Sequence, residues 1–293
     1  MKTISTLLRM KSWVKNGFLL LPSVFALRLL DLENMVQLIW GVLVFCLVSS
    51  FIYINNDIQD ATKDALHPRK KLRPIASGKI PPLHAFLVSL ALLMLGTLIF
   101  LLVGLPLSFL YIVLGYAVLN LLYIFWLKNV ALLELFIVAI NFVLRVLAGC
   151  AILQVTPSDW ILVVTFFLAF LMVVVKRKAE IQQLAHNAQE HRAVLASYSV
   201  SFLNTLSYIS ATITITAYLL YSIDPKVSAS LGTSGLVYSS LFVFLGIIRL
   251  IQISEQKLHD GEGDPTTLLF KDFVLLGSVI TWMLYLIFVL YAY

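Results

Sequence analysis

Four oxygen-bearing side chains close an apolar run in the stretch NDIQDATKD: Asn56, Asp57, Asp60 and Asp64. On a helix, 56, 60 and 64 follow i, i+4, i+8, and 57, 60 and 64 follow i, i+3, i+7, so either set shares one face. Like charges at that spacing repel one another unless a cation sits among them. Hard oxygen ligands suit Mg²⁺, which takes one or two carboxylates and completes its shell with substrate phosphates. A solvated acidic helix end is the plainer reading. Three aspartates in register, with bases directly downstream, favour metal and phosphate binding instead.

Those bases lie in HPRKKLRPIASGK, where Pro68 and Pro74 stop the helix and stiffen the loop. Arg69, Lys70, Lys71 and Arg73 would meet phosphate oxygens, the arginines in forked geometry. Attraction to anionic lipid explains part of this charge, but not the adjoining aspartates. A further group is Tyr123, Lys128 and Glu134 in YIFWLKNVALLE, where Lys128 either meets substrate or snorkels to the interface. Glu134, Asn141 and Arg145 share a helical face. An arginine at that depth costs about 2.5–3.5 kcal/mol on insertion scales, so Arg145 needs a partner or a wet cavity; Asn120 is one candidate. In KRKAEIQQLAHNAQEHRAVLASYS, Glu180 could complete a metal site, and Lys176, Arg177 and Arg192 could hold phosphate. His186 and His191 are read as solvated. Asp264–Pro265 reads as an N-cap and first-turn proline, which capping alone explains.

The elements that must position these groups are spelled out by composition. The chain has 293 residues, 60% hydrophobic and 12% charged, against about 25% charged in a soluble domain; its mean hydropathy is +0.96. That pattern describes a polytopic, all-α membrane protein, because helices satisfy their backbone groups internally. Nine apolar segments lie near 14–30, 35–55, 83–103, 106–126, 131–152, 159–176, 199–222, 233–254 and 271–291. The first, with Pro22 inside it, is the weakest. Lysine and arginine crowd alternate loops, which predicts a cytoplasmic N-terminus and puts the polar loops near 57–82, 176–197 and 255–270 in the cytoplasm. The whole chain, 1–293, reads as one polytopic membrane domain. Cys46 and Cys150 fall inside predicted spans, which argues against a disulfide or metal cluster.

With these motifs quoted, the chain resembles the UbiA superfamily of intramembrane prenyltransferases, whose first motif is NDxxDxxxD and which carries a YxxxLK element matched by Tyr123–Lys128. The superfamily's second aspartate-rich motif is missing; KRKAE stands there. Together with RMKSWVKNGFLLLPSVFA, HPRKKLRPIASG, LRVLAG and a final KD, this resembles the decaprenyl-phosphate phosphoribosyltransferase branch, nearly end to end. The resemblance implies nine transmembrane helices around a central cavity. It implies Mg²⁺ on Asn56, Asp60 and Asp64, with Asp57 or Asn56 left open as the direct ligand, and Asp57, Asp60 and Asp64 as catalytic acids. The expected substrate contacts are Lys15, Asn16, Lys63, Arg69, Lys70, Arg73, Tyr123, Lys128, Lys176, Arg177, Glu180, Arg192 and Tyr198.

The implied reaction moves 5-phosphoribosyl from phosphoribosyl pyrophosphate to a polyprenyl phosphate. The expected place is the cell's plasma or inner membrane, with the site facing the cytoplasm. No nucleic acid partner is expected, and self-association as a homo-oligomer is left open. The competing readings are a prenyltransferase using a prenyl diphosphate donor, and a transporter or flippase. A transporter should place its charges at midplane, where Arg145 alone leans that way.

Overall fold

The computed structural model describes residues 2–66, 70–184, 193–256 and 265–291. Among them no strand occurs, and the helices follow in order: α1 (Lys2–Leu7), a 3-10 segment (Met10–Leu20), α2 (Leu21–Phe25), α3 (Leu32–Gln59), α4 (Ala61–Leu66), α5 (Pro82–Val103), α6 (Leu107–Phe125), α7 (Leu133–Leu153), α8 (Asp159–Leu184), α9 (Val200–Ile223), α10 (Pro225–Leu231), α11 (Ser240–Gln256), α12 (Pro265–Lys271) and α13 (Phe273–Tyr291). Local chemistry sets several of these ends. The Asp31 carboxylate caps α3 by accepting from the Asn34 N–H, and the Ser199 hydroxyl caps α9 by accepting from Phe202. Gly104, at φ 70°, ends α5 in the left-handed conformation that glycine adopts without strain.

Eight helices among the described residues are long and apolar enough to cross a membrane: α3, α5, α6, α7, α8, α9, α11 with the 3-10 turn before it, and α13. The expected first span near 14–30 is not among them. That stretch is a long 3-10 segment followed by a five-residue helix. Runs of 3-10 helix beyond three or four residues are uncommon, so tertiary contacts must hold this one. Trp13 donates to the Ser50 hydroxyl at 2.9 Å, and Asn16 donates to Cys46 Sγ at 3.1 Å. On α7, a Cβ added at Gly149 would lie 2.1 Å from the Leu19 carbonyl oxygen. Only glycine lets the segment come this close.

The residues group into two compact units, one of Met1–Val24, Arg28–Lys128 and Leu144–Thr156, the other of Phe25–Leu27, Asn129–Val143 and Pro157–Tyr293. In the first, α3 lies against α5, α6 and the 3-10 segment. Its core is built from Leu19, Phe45, Val48, Phe109, Tyr116 and Ile152. Arg145 is buried here and donates from Nε to Asn16 at 2.9 Å and from Nη2 to the Tyr116 hydroxyl at 3.0 Å. Its guanidinium also lies over the Tyr116 and Phe45 rings, at 5.0 and 5.4 Å. The partner demanded by a charge at that depth is thus supplied by the 3-10 segment and α6. Asn120 donates to the Tyr116 backbone carbonyl at 2.7 Å.

In the second unit α8 pairs with α9, and α11 with α13, around Leu171, Val175, Ala211, Ile247, Leu250 and Leu275. Asp272, of the final KD, accepts a fork from Arg249 at 3.0 and 2.8 Å and also caps α13 through the Leu275 N–H. Outward-facing Leu83, Leu87, Leu98 and Leu101 on α5 are exposed, as lipid contact requires.

Gly149→Ala is expected to push the 3-10 segment off α7 and cost about 1–3 kcal/mol, the usual range for overpacking. A lowered unfolding midpoint of the detergent-purified protein would register the loss; an unchanged midpoint would show that the approach is not tight.

Candidate active site

The acidic face forms where α3 ends. Helical hydrogen bonding runs through the junction with α4, from the Asp60 N–H to the Asn56 carbonyl at 2.9 Å and from the Asp64 N–H to the Asp60 carbonyl at 2.8 Å. Asp60 itself is the capping residue of α3, and α4 carries Asp64 onward. The helical backbone therefore runs on from Asn56 through Asp60 to Asp64.

Each carboxylate meets a cation within the same unit. Asp57 is buried and accepts from both Nε, at 3.0 Å, and Nη2 of Arg9. It also accepts from Arg73 Nη1 at 3.0 Å, and the same nitrogen donates to Asp64. Lys128 Nζ donates to Asp60 at 2.6 Å. Arg9 further lies over the Tyr53 ring at 5.5 Å. Burial pushes the Asp64 carboxyl above the usual aspartate range, and Arg73 and Lys70 draw it back only in part.

Exposure separates these acids. Asp57 and Asp64 are 5% and 6% exposed at their side chains, whereas Asp60 is 23% exposed. The amide of Asn56 is half-buried and makes no hydrogen bond among the described residues. An unengaged amide beside the half-open carboxylate of Asp60 and the Asp64 carboxylate is a donor set of hard oxygens, which fits Mg²⁺. No group of three acidic, histidine or cysteine side chains among the described residues is arranged to hold a metal by itself. Phosphate oxygens and water would have to complete the shell.

The other expected residues fall in one unit or the other. Lys70 is half-buried and acts on Asp64, Lys63 is exposed, and Lys15 and Tyr123 are half-buried in the same unit. Asn16 is fully engaged in the core, between Arg145 and Cys46. In the second unit, Glu134 is 0% exposed and accepts a bidentate fork from Arg177, at 2.8 Å each from Nε and Nη2. Nη1 of Arg177 donates to Glu180 at 2.6 Å. Lys176 is half-buried on the same helix. The Tyr198 hydroxyl accepts from the Leu132 N–H at 2.7 Å and so braces the turn before α7, where Leu132 has φ 66°. Arg69, Arg192, His186, His191 and Asp264 lie outside the described residues.

One side chain at the candidate site escapes sequence reasoning. Arg9 is one of four basic residues near the N-terminus, and only its left-handed backbone, φ 50°, aims it at Asp57. No spacing signal singles it out.

An all-helical, multi-pass membrane protein whose acids and bases gather at helix ends is a membrane enzyme in outline. Its residues 18–271 match the model of the UbiA prenyltransferase family, and the chain belongs to that family. A protein of Mycolicibacterium smegmatis named decaprenyl-phosphate phosphoribosyltransferase is 32% identical over 243 residues, 82% of this chain and 76% of the other. Another of that name, from Corynebacterium glutamicum, is 28% identical and covers 97% of this chain and 85% of its own. The structure of a UbiA homolog from Archaeoglobus fulgidus bound to GPP and Mg²⁺ shares the fold, with a TM-score of 0.69 at 18% identity and 96% coverage of both chains.

Asp57→Asn would leave two guanidinium groups without their shared carboxylate. It is expected to cost about 3 kcal/mol, the lower end for breaking a buried pair. Asp60→Asn, at a half-open site, should leave the unfolding midpoint nearly unchanged. Equal shifts in the two variants would show that Asp57 has no special place in the fold.

Proposed function

We propose that the protein transfers 5-phosphoribosyl from phosphoribosyl pyrophosphate to a polyprenyl phosphate in the presence of Mg²⁺ and releases pyrophosphate. The observation that carries this reading is the half-open pair Asn56 and Asp60 with buried Asp64 on the same helical stretch, countered by Lys128 and Arg73. The names of the relatives, matched over most of the chain, supply the substrate class.

The chemistry asks little covalent work of the protein. An oxygen of the lipid phosphate attacks C1 of the ribose. The bond from C1 to the pyrophosphate oxygen breaks, and its electron pair leaves with pyrophosphate. The attacking phosphate is already ionised, so no strong general base is needed. This agrees with the lack of a Ser–His or Cys–His pair among the residues that gather here. The transition state carries oxocarbenium character, so positioning and charge stabilisation supply most of the rate.

Asn56, Asp60 and Asp64 would hold Mg²⁺, which supplies neutralisation of the leaving pyrophosphate. Lys128 and Arg73 neutralise the acids at rest. Freed from the acids, they would pair with donor phosphates, so charge would be exchanged rather than exposed. Lys70 adds positive charge suited to the donor's phosphates. We place the site on the cytoplasmic side of the plasma or inner membrane, where a soluble, charged donor is available.

Labelled phosphoribosyl pyrophosphate, polyprenyl phosphate and Mg²⁺ given to the purified protein should yield a labelled lipid. Chelation should stop it, and Asp60→Asn should lower kcat on the order of 10²–10³-fold, as for loss of one charge-stabilising group. Transfer from a prenyl diphosphate instead, with no labelled lipid from the phosphoribosyl donor, would sink the proposal. Lys128→Met gives a separate check. Without donor it should bind Mn²⁺ more tightly than the parent protein, since Asp60 has lost its competing ammonium; weaker or equal Mn²⁺ binding contradicts the exchange.

A further inference from the structure

Arg177 was expected to touch phosphate, yet all three of its nitrogens serve carboxylates. Nε and Nη2 fork onto Glu134, and Nη1 reaches Glu180, one turn along α8. The side chains of Arg177 and Glu134 are 4% and 0% exposed. A planar guanidinium clamped between two carboxylates of different helices does what a divalent ion does between two acids. It neutralises them and fixes their separation.

The acid–base groups around Asp60 and around Glu134 differ in one respect that decides their use. Lys128 and Asp60 both remain partly open, at 13% and 23% exposure. A metal with bound phosphates can displace the ammonium there. The fork between Arg177 and Glu134 is sealed, and removing one partner of a buried pair leaves an uncompensated charge out of water. It does not open in a catalytic cycle.

We infer that Arg177 is a positioning residue, a fixed cation that joins Glu134 of α7 to Glu180 of α8 in place of a divalent ion. Metal binding is thereby confined to the acids around Asp60. Glu180, 24% exposed, is held in orientation by the clamp. The inference deepens the phosphoribosyl-transfer reading and rests on it for its kinetic consequence alone; the cation clamp itself does not depend on which donor is used.

Removal of the guanidinium should create a divalent-cation site. Arg177→Ala, purified in detergent, is expected to unfold at a midpoint that rises by several degrees with millimolar Mn²⁺ or Mg²⁺, beyond any rise in the parent protein. Arg177→Ala/Glu134→Gln should lose that extra response. No extra response in folded Arg177→Ala, or its persistence in the double variant, overturns the inference. Should Arg177→Ala not fold, Arg177→Lys keeps the charge without the fork. It should lower the midpoint while leaving the donor's KM within about twofold, and a rise in that KM of tenfold or more overturns the inference. Failure of phosphoribosyl transfer with an intact cation response would sink the proposed function and leave the clamp standing.

Discussion

A guanidinium inside an apolar core must be answered by oxygen atoms and ring faces, and much of the first unit is arranged to answer Arg145. Its partners come from the 3-10 segment and from α6, so meeting its hydrogen-bonding demand also joins three parts of the chain. One turn further along α7, Gly149 offers the flat surface against which Leu19 rests. The same segment carries Arg9 to Asp57 at its other end. A structural charge deep in the core and a charge at the candidate site are thus linked through the backbone between Asn16 and Arg9.

The protein handles its two sets of acids differently. Around Asp60 the counter-cations are partly exposed and belong to residues that can reorient. Around Glu134 the counter-cation is buried and forked. Burial decides which pairing can be exchanged, because an exposed ion pair is worth at most about 1 kcal/mol while a broken buried one leaves an unsolvated charge. The absence of aspartates from KRKAE and the presence of Arg177 there are two sides of one arrangement.

Much of this was legible in the residues. The apolar runs behind α5, α6 and α7 had the length of a membrane span. The register of Asp57, Asp60 and Asp64 placed them at a helix end, and Lys128 was singled out as a candidate contact; its partner proved to be Asp60. What escaped depended on long-range geometry. The segment near 14–30 has the composition of a helix, but its backbone is set by Trp13, Asn16 and Gly149, which meet it from afar. Asn16 and Tyr198 were expected at substrate, and the observed bonds put one in the Arg145 network and the other under the turn at Leu132. Arg9 resembled its basic neighbours because sequence carries no record of a left-handed φ.

The 3-10 segment also acts as a measuring rod. Its contacts step from Arg9–Asp57 through Trp13–Ser50 to Asn16–Cys46, antiparallel to α3. Seven residues of 3-10 helix advance about 14 Å at about 2.0 Å each. The span of α3 from Asp57 back to Cys46 advances about 16 Å at about 1.5 Å per residue. The two lengths agree only because the segment is stretched; as α-helix it would fall short by several ångström. With its inner end pinned at Leu19, the distance at which Arg9 is delivered is written into the number of residues between them. A single insertion there would slide the guanidinium past its carboxylate without changing any residue of the site.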